Sequence, residues 1–125
     1  MKPIVLVVED NERNRKLVRT ILEFRGYDVV ECEDGEPSLE LARLHKPVLV
    51  LMDIQLPRMN GVEALKRLRA DPDTNAIPVV AVTASVTPSE RERVVCAGFN
   101  AYISKPIDVA TFGPMVDKAM GREVA

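Results

Sequence analysis

Tryptophan is absent from this chain, and aromatic residues make up only 4% of it. Without such rings there is no stacking platform for single-stranded nucleic acid. An excess of one charge is lacking too: 17 Lys and Arg against 19 Asp and Glu leave a formal net charge of -2. That balance offers no broad field to attract nucleic acid or an anionic membrane. No long apolar run occurs; Ile4 to Val8 near the amino terminus is too short for a signal peptide or a membrane span. The chain therefore reads as cytoplasmic. His45 is the single histidine. One His cannot make a zinc site alone, and before Lys46-Pro47 it reads as a helix-end residue. Cys32 and Cys96 lie far apart, show no zinc spacing and would stay reduced in the cytosol. They read as small buried or half-buried apolar side chains.

What is present is enough apolar material for a core. Hydrophobic residues make up 46% of the 125 positions. A single domain of this length buries roughly two-thirds of its unfolded surface. Ile4 to Val8 is a continuous β-branched run, as expected of a strand buried on both faces. Leu17, Val18, Ile21 and Leu22 follow at helical spacing, and Gly26 closes that helix. Tyr27 to Cys32 reads as a second strand. Asp34-Gly35 turns, Pro37 suits a first helical turn, and Leu39, Leu41, Ala42 and Leu44 supply an apolar face. Val48 to Met52 is a third buried strand. A loop with Pro57 leads to a helix carrying Val62, Leu65 and Leu68. Val79 to Val82 is the fourth strand; Ser89 is a candidate cap for a helix ending near Gly98. Ala101 to Ser104 is a short fifth strand, and Val109, Phe112, Val116 and Ala119 line a last helix ending near Met120. There is no repeat and no linker.

Five strands alternating with five helices predict a parallel sheet covered on both faces, in one domain spanning residues 1–125. In such sheets, functional groups gather at the carboxyl ends of the strands, beside the point where strand order reverses. Those ends carry Glu9-Asp10, Asp53, Thr83 and Lys105-Pro106. If the first and third strands are neighbours, three carboxylates converge. Each raises the others' pKa unless a cation is present, and hard oxygen donors with open positions suit magnesium. A carboxylate beside such a cation is prepared to accept a phosphoryl group, whose equatorial oxygens need positive and hydrogen-bonding partners. Lys105 and Thr83 supply these, and Asp53, ending the central strand before an open loop, is the natural acceptor. Each residue alone has a plainer reading. Asp10-Asn11 is a good helix cap, Thr83 an ordinary strand end, and Lys105 a solvated charge. Their coincidence at four successive strand ends favours the joint reading.

The segments Val8-Glu9-Asp10-Asn11, Leu51-Met52-Asp53-Ile54-Gln55-Leu56-Pro57, Asn60-Gly61, Val82-Thr83-Ala84 and Ser104-Lys105-Pro106 resemble the signature of bacterial response-regulator receiver domains. The resemblance covers essentially the whole chain. It implies a flavodoxin-like (βα)5 doubly wound sheet of strand order 2-1-3-4-5. It also implies phosphorylation at Asp53, with Mg2+ held by Glu9, Asp10, Asp53 and the carbonyl of Gln55, and phosphoryl contacts from Thr83 and Lys105. A cis Lys105-Pro106 bond is implied as well. Within the family the chain is most similar to single-domain cell-cycle regulators of the DivK type, through runs such as Ala101-Tyr102-Ile103-Ser104-Lys105-Pro106-Ile107. One departure is Val48, where the family commonly has Asp; it lies away from the crevice.

The resemblance implies a switch. A phosphoryl group on Asp53 draws in the Thr83 hydroxyl, Tyr102 turns inward, and the face of the fourth helix, fifth strand and fifth helix changes for a partner protein. The plainer reading of Tyr102 is an amphipathic surface side chain. Expected partners are a histidine kinase or histidine phosphotransfer protein and a downstream protein, not nucleic acid or membrane. Arg13, Arg15, Lys16, Arg19 and Arg25 on the first helix read as a solvated face, though basic residues beside an acidic crevice also steer acidic partners. With five residues after the last helix, no output domain is expected. Rival classes are a haloacid-dehalogenase-type phosphatase and a flavodoxin-like nucleotide or flavin binder. The first needs a proton-exchanging acid where Gln55 stands. The second wants a glycine- or hydroxyl-rich loop where Glu9-Asp10-Asn11-Glu12 stands. A receiver cut from a larger kinase is a third alternative; the starting Met1 speaks mildly against it.

Overall fold

The computed structural model describes residues 2–54, 56, 59–84 and 87–119, with the side chains of Glu90, Arg91, Val95 and Val109 excepted. Five strands form one parallel sheet: β1 (Ile4–Val8), β2 (Asp28–Cys32), β3 (Leu49–Asp53), β4 (Val79–Thr83) and β5 (Ala101–Ser104). Their order is β2-β1-β3-β4-β5. The helices between and after them are α1 (Glu12–Phe24), α2 (Ser38–His45), α3 (Gly61–Ala70), α4 (Pro88–Ala97) and α5 (Val109–Ala119). This is the flavodoxin-like order expected from the sequence.

The continuous apolar runs work as strands because both faces are covered. Val5, Val7, Leu49, Leu51, Val80 and Val82 point to one face, where Val18, Leu22, Phe112 and Val116 of α1 and α5 close over them. Leu6, Val8, Val50, Met52, Val79 and Ala81 point to the other, beneath Ala42, Leu65, Leu68 and Val94 of α2, α3 and α4. Successive residues of a strand alternate faces, so one apolar run feeds two cores. Gly26 and Gly98 end α1 and α4 with positive φ values of 92° and 107°, a conformation glycine adopts without strain.

Several boundaries and faces differ from expectation. β2 starts at Asp28 rather than Tyr27, whose fully buried ring packs below the strand. β3 starts at Leu49 and includes Asp53, because the ladder continues through the Asp53–Val82 pair. α4 opens at Pro88, so Ser89 lies inside the first turn and is not the cap. Leu44 is 75% exposed, so the buried face of α2 is narrower than its sequence implies and centres on Ala42. Cys96 is exposed, not buried, while Cys32 is half-buried as expected. α5 carries Pro114 inside it. The end of α5 near Met120 and the loop around Pro57 fall outside the described residues. No helix among the described residues is long and apolar enough to cross a membrane.

Candidate functional site

β1 and β3 are neighbours, and the strand order reverses between them. Their carboxyl ends therefore bring Glu9-Asp10 beside Asp53. One carboxylate oxygen from each of Glu9, Asp10 and Asp53 lies within 4.8 Å of the other two. Asn11, not Asp10, caps α1: its side chain accepts the Asn14 N–H at 3.1 Å. That division leaves the exposed Asp10 carboxylate to the cluster. At the end of β3, a Cβ on Gly61 would come within 2.5 Å of the Asp53 carbonyl and 2.9 Å of Ile54 Cα. Glycine there lets α3 start against the strand end that presents Asp53, and its N–H bonds the Ile54 carbonyl at 2.9 Å.

Lys105 reaches the cluster from the end of β5. Its Nζ lies 2.8 Å from Glu9 Oε1 and 2.9 Å from Asp53 Oδ2. Burial works against that ammonium, but hydrogen bonds to Glu9 and Asp53 outweigh it and hold its pKa above the ordinary lysine value. Burial, and then the adjoining Asp53 carboxylate, push Glu9 above the ordinary glutamate value despite the opposing pull of Lys105. Glu9 Oε2 is buried, and among the described residues it has no hydrogen-bond partner. An orphan carboxylate oxygen among converging acids, with oxygen donors throughout, fits a small hard cation and gives one a place to bind. The acidic cluster is therefore a fitting magnesium site.

The remaining predicted residues take these places. Thr83 ends β4, is buried, and its carbonyl accepts the Lys105 N–H at 2.8 Å. The Lys105-Pro106 bond is cis, as the resemblance implies. Tyr102 on β5 is half-buried against the α2–α4 core, between the two readings of it made from the sequence. It also borders a groove of about 410 Å³ together with Ser104, Pro106, Phe112 and the partly exposed Met115. The predicted metal ligand on the Gln55 carbonyl lies outside the described residues.

Two site residues escape a reading from the sequence. Asn14 donates to Glu9 Oε1 at 3.1 Å. Arg15 donates from one nitrogen to the Glu9 carbonyl at 2.9 Å and the Asp10 carbonyl at 3.1 Å, and pairs with Glu33 at 3.2 Å. Their positions four and five residues after Asp10 are the available signal, since the first turn of α1 faces back toward the loop. The basic face of α1 is correspondingly less solvated than expected. Arg15 is turned inward, Arg19 pairs with Glu31 at 2.8 Å, and Arg25 pairs with Asp117; Arg13 and Lys16 stay exposed.

Comparisons with known proteins agree with this geometry. The model of the response regulator receiver domain matches residues 5–117. The chain is 45% identical over 121 residues to the polar-differentiation response regulator DivK of Brucella anthropi, covering 97% of this chain and 98% of that protein. Among solved structures it is similar to the receiver domain of a sensor histidine kinase from Pseudomonas aeruginosa PAO1. That match has a TM-score of 0.88 and 30% identity over 97% of this chain and 99% of the other. The crystal structure of that domain has a magnesium ion coordinated in its active site cleft. The chemotaxis protein CheY4 of Vibrio cholerae shares the fold, with a TM-score of 0.89 at 24% identity over 95% of this chain and 99% of that one.

Proposed function

We propose, from the premise that the chain belongs to the response regulator receiver domain family, that it accepts a phosphoryl group on Asp53 from a phosphohistidine donor and passes the signal on through its surface. The family is one of regulators rather than of turnover enzymes, and membership implies a histidine kinase as partner. The observation that carries the proposal is Lys105 Nζ bridging Glu9 and Asp53 beside the carboxylate cluster at the strand ends. A magnesium ion bound there supplies positive charge for the oxygens of the incoming group.

This chain's own residues do the rest. An Asp53 carboxylate oxygen attacks phosphorus as the phosphorus–nitrogen bond of the donor breaks, and the leaving imidazole keeps the electron pair. Lys105 shifts from bridging two carboxylates to neutralising a phosphoryl oxygen. The Thr83 hydroxyl at the adjoining strand end donates to a second oxygen, and β4 moves its following loop with it. Tyr102 then exchanges its half-buried position for a deeper one, which reshapes the groove beside β5 and α5 for a protein partner. In this reading residues 1–125 act as one receiver unit. The likeness to DivK supports a role in cell polarity and division control, in the cytoplasm.

The test is chemical. Acetyl phosphate with magnesium should label the protein, with the label mapping to Asp53, and Asp53→Asn should abolish it because an amide is a poor nucleophile. Thr83→Ala and Tyr102→Ala should still take the label but lose the phosphorylation-dependent change in affinity for a kinase or phosphotransfer protein. Full labelling of Asp53→Asn would sink the acceptor assignment. An intact affinity change in both other variants would sink the switch.

A further inference from the structure

A basic residue early in a helix beside an acidic crevice is ordinarily solvated, and its charge opposes cation binding there. Arg15 departs from both patterns. Its side chain is only 13% exposed, whereas its partner Glu33 is 74% exposed. One guanidinium nitrogen serves two successive carbonyls, those of Glu9 and Asp10, and the other pairs with Glu33 beyond the end of β2. At this point the chain leaves the β1 ladder; the Glu9 N–H still bonds the Cys32 carbonyl at 3.0 Å. The peptide groups that follow carry the two acids, and their carbonyls are the ones Arg15 bonds.

We infer that Arg15 is a positioning residue for the magnesium-side acids: by clamping the Glu9 and Asp10 carbonyls and tying them to the β2 side, it holds both carboxylates ready for the cation. The inference rests on the reading of Glu9, Asp10 and Asp53 as the magnesium site. Groups that orient first ligands are worth substantial factors in metal affinity even though they never touch the ion. Charge and geometry predict opposite signs here. As a charge alone, Arg15 repels the cation, so its removal would tighten binding. As a clamp, its removal loosens binding.

The experiment is a magnesium titration of the full chain followed by amide NMR shifts near Asp10 and Asp53, with thermal unfolding of the metal-free protein measured in parallel. Arg15→Met should weaken magnesium binding about tenfold. Arg13→Met removes an exposed charge from the same helix without removing a clamp, and should leave affinity unchanged or slightly tighter. Arg15→Lys keeps the charge, but its single nitrogen lacks the two-nitrogen fork by which the guanidinium spans from the two carbonyls to Glu33; it should lose about threefold. That variant decides the matter if Arg15→Met does not fold. Native protein that shows no magnesium-dependent shifts refutes the site itself. Native binding with Arg15→Met equal or tighter, or with Arg15→Lys unchanged, overturns the clamp alone. A lowered melting temperature with unaltered magnesium affinity likewise overturns it, since that is a purely structural role.

Discussion

The two ends of the central sheet carry charged clusters built on opposite principles. At the carboxyl end, Glu9, Asp10 and Asp53 converge, Lys105 bridges Glu9 and Asp53, and among the described residues Glu9 Oε2 has no hydrogen-bond partner. The amino end lies where the helices finish, because each helix runs back against the strand it follows. There, carboxylates are matched. Asp117 accepts the Tyr27 hydroxyl at 2.7 Å and Arg25 Nε at 3.0 Å. Asp71 accepts Arg43 Nε at 2.7 Å and the Asp73 N–H at 2.8 Å. The pKa directions follow. The Asp73 N–H and then Arg43 hold Asp71 below the ordinary aspartate value, while burial and then Asp53 push Glu9 up. The base of the sheet is arranged to hold the fold. The crevice leaves close acids incompletely matched, an arrangement whose repulsion a bound cation would relieve.

The largest effect that sharpens this contrast is expected at Asp117. Asp117→Ala leaves the buried Tyr27 hydroxyl and the Arg25 guanidinium without their carboxylate, a loss of about 2–3 kcal/mol in urea denaturation. Its magnesium affinity should not change. Glu9→Gln should do the reverse, raising metal-free stability at neutral pH while weakening magnesium binding. If Glu9→Gln destabilises the metal-free protein as much as Asp117→Ala does, the contrast between the two ends is broken.

A smaller effect lies in the pH dependence of metal-free stability. Glu9 has a folded pKa above its ordinary value of 4.5, so the folded state binds its proton more tightly. Its contribution is complete below that value and is lost as pH rises through the folded pKa. Asp71 has a folded pKa below its ordinary value of 3.8. Its contribution is present above that value and is lost as pH falls through the folded pKa. Urea midpoints measured across pH should therefore show two slopes of opposite sign. Glu9→Gln should flatten the loss on rising pH and Asp71→Asn the loss on falling pH. Saturating magnesium should suppress the Glu9 slope and leave the Asp71 slope intact.

The smallest expected effect is a difference in thiol reactivity. Cys32 ends β2 at the crevice side, with its Sγ donating to the Asp34 carbonyl at 3.3 Å, and burial pushes its pKa up to about 11. Cys96 is exposed. A disulfide reagent at pH 8 should modify Cys96 promptly and Cys32 slowly, since the thiolate is the reactive form. Magnesium, by tightening the loop beside Cys32, should slow the second reaction further. Equal rates at the two thiols would show that the crevice end opens more readily than its packing implies.

Much of this was legible in the amino-acid order. The strand run Ile4–Val8 stands where expected, because a strand buried on both faces leaves an uninterrupted β-branched or apolar signature. The edge strand Ala101–Ser104 also stands where expected, although only Ile103 in it is buried. The carboxylates at the strand ends were legible for the same reason: once strands are located, their ends are located too. What escaped depends on neighbours. Leu44 looks like core from helical spacing, but the sheet beneath α2 is covered by Ala42. Arg15 and Arg25 look solvated by residue type, yet both fill hydrogen-bonding positions created by other elements.

By itself the sequence determined the alternation of strands and helices, the two-faced core and which side chains stand at the strand ends, since periodicity and turn chemistry act over a few residues. Only the tertiary structure decided the pairings. Lys105 meets Asp53 across 52 residues of chain, and Arg25 meets Asp117 across 92. Whether a charge is matched, orphaned or put to use as a clamp depends on which strands lie side by side. That order is set by the packing of helices on both faces of the sheet, over distances no local pattern spans.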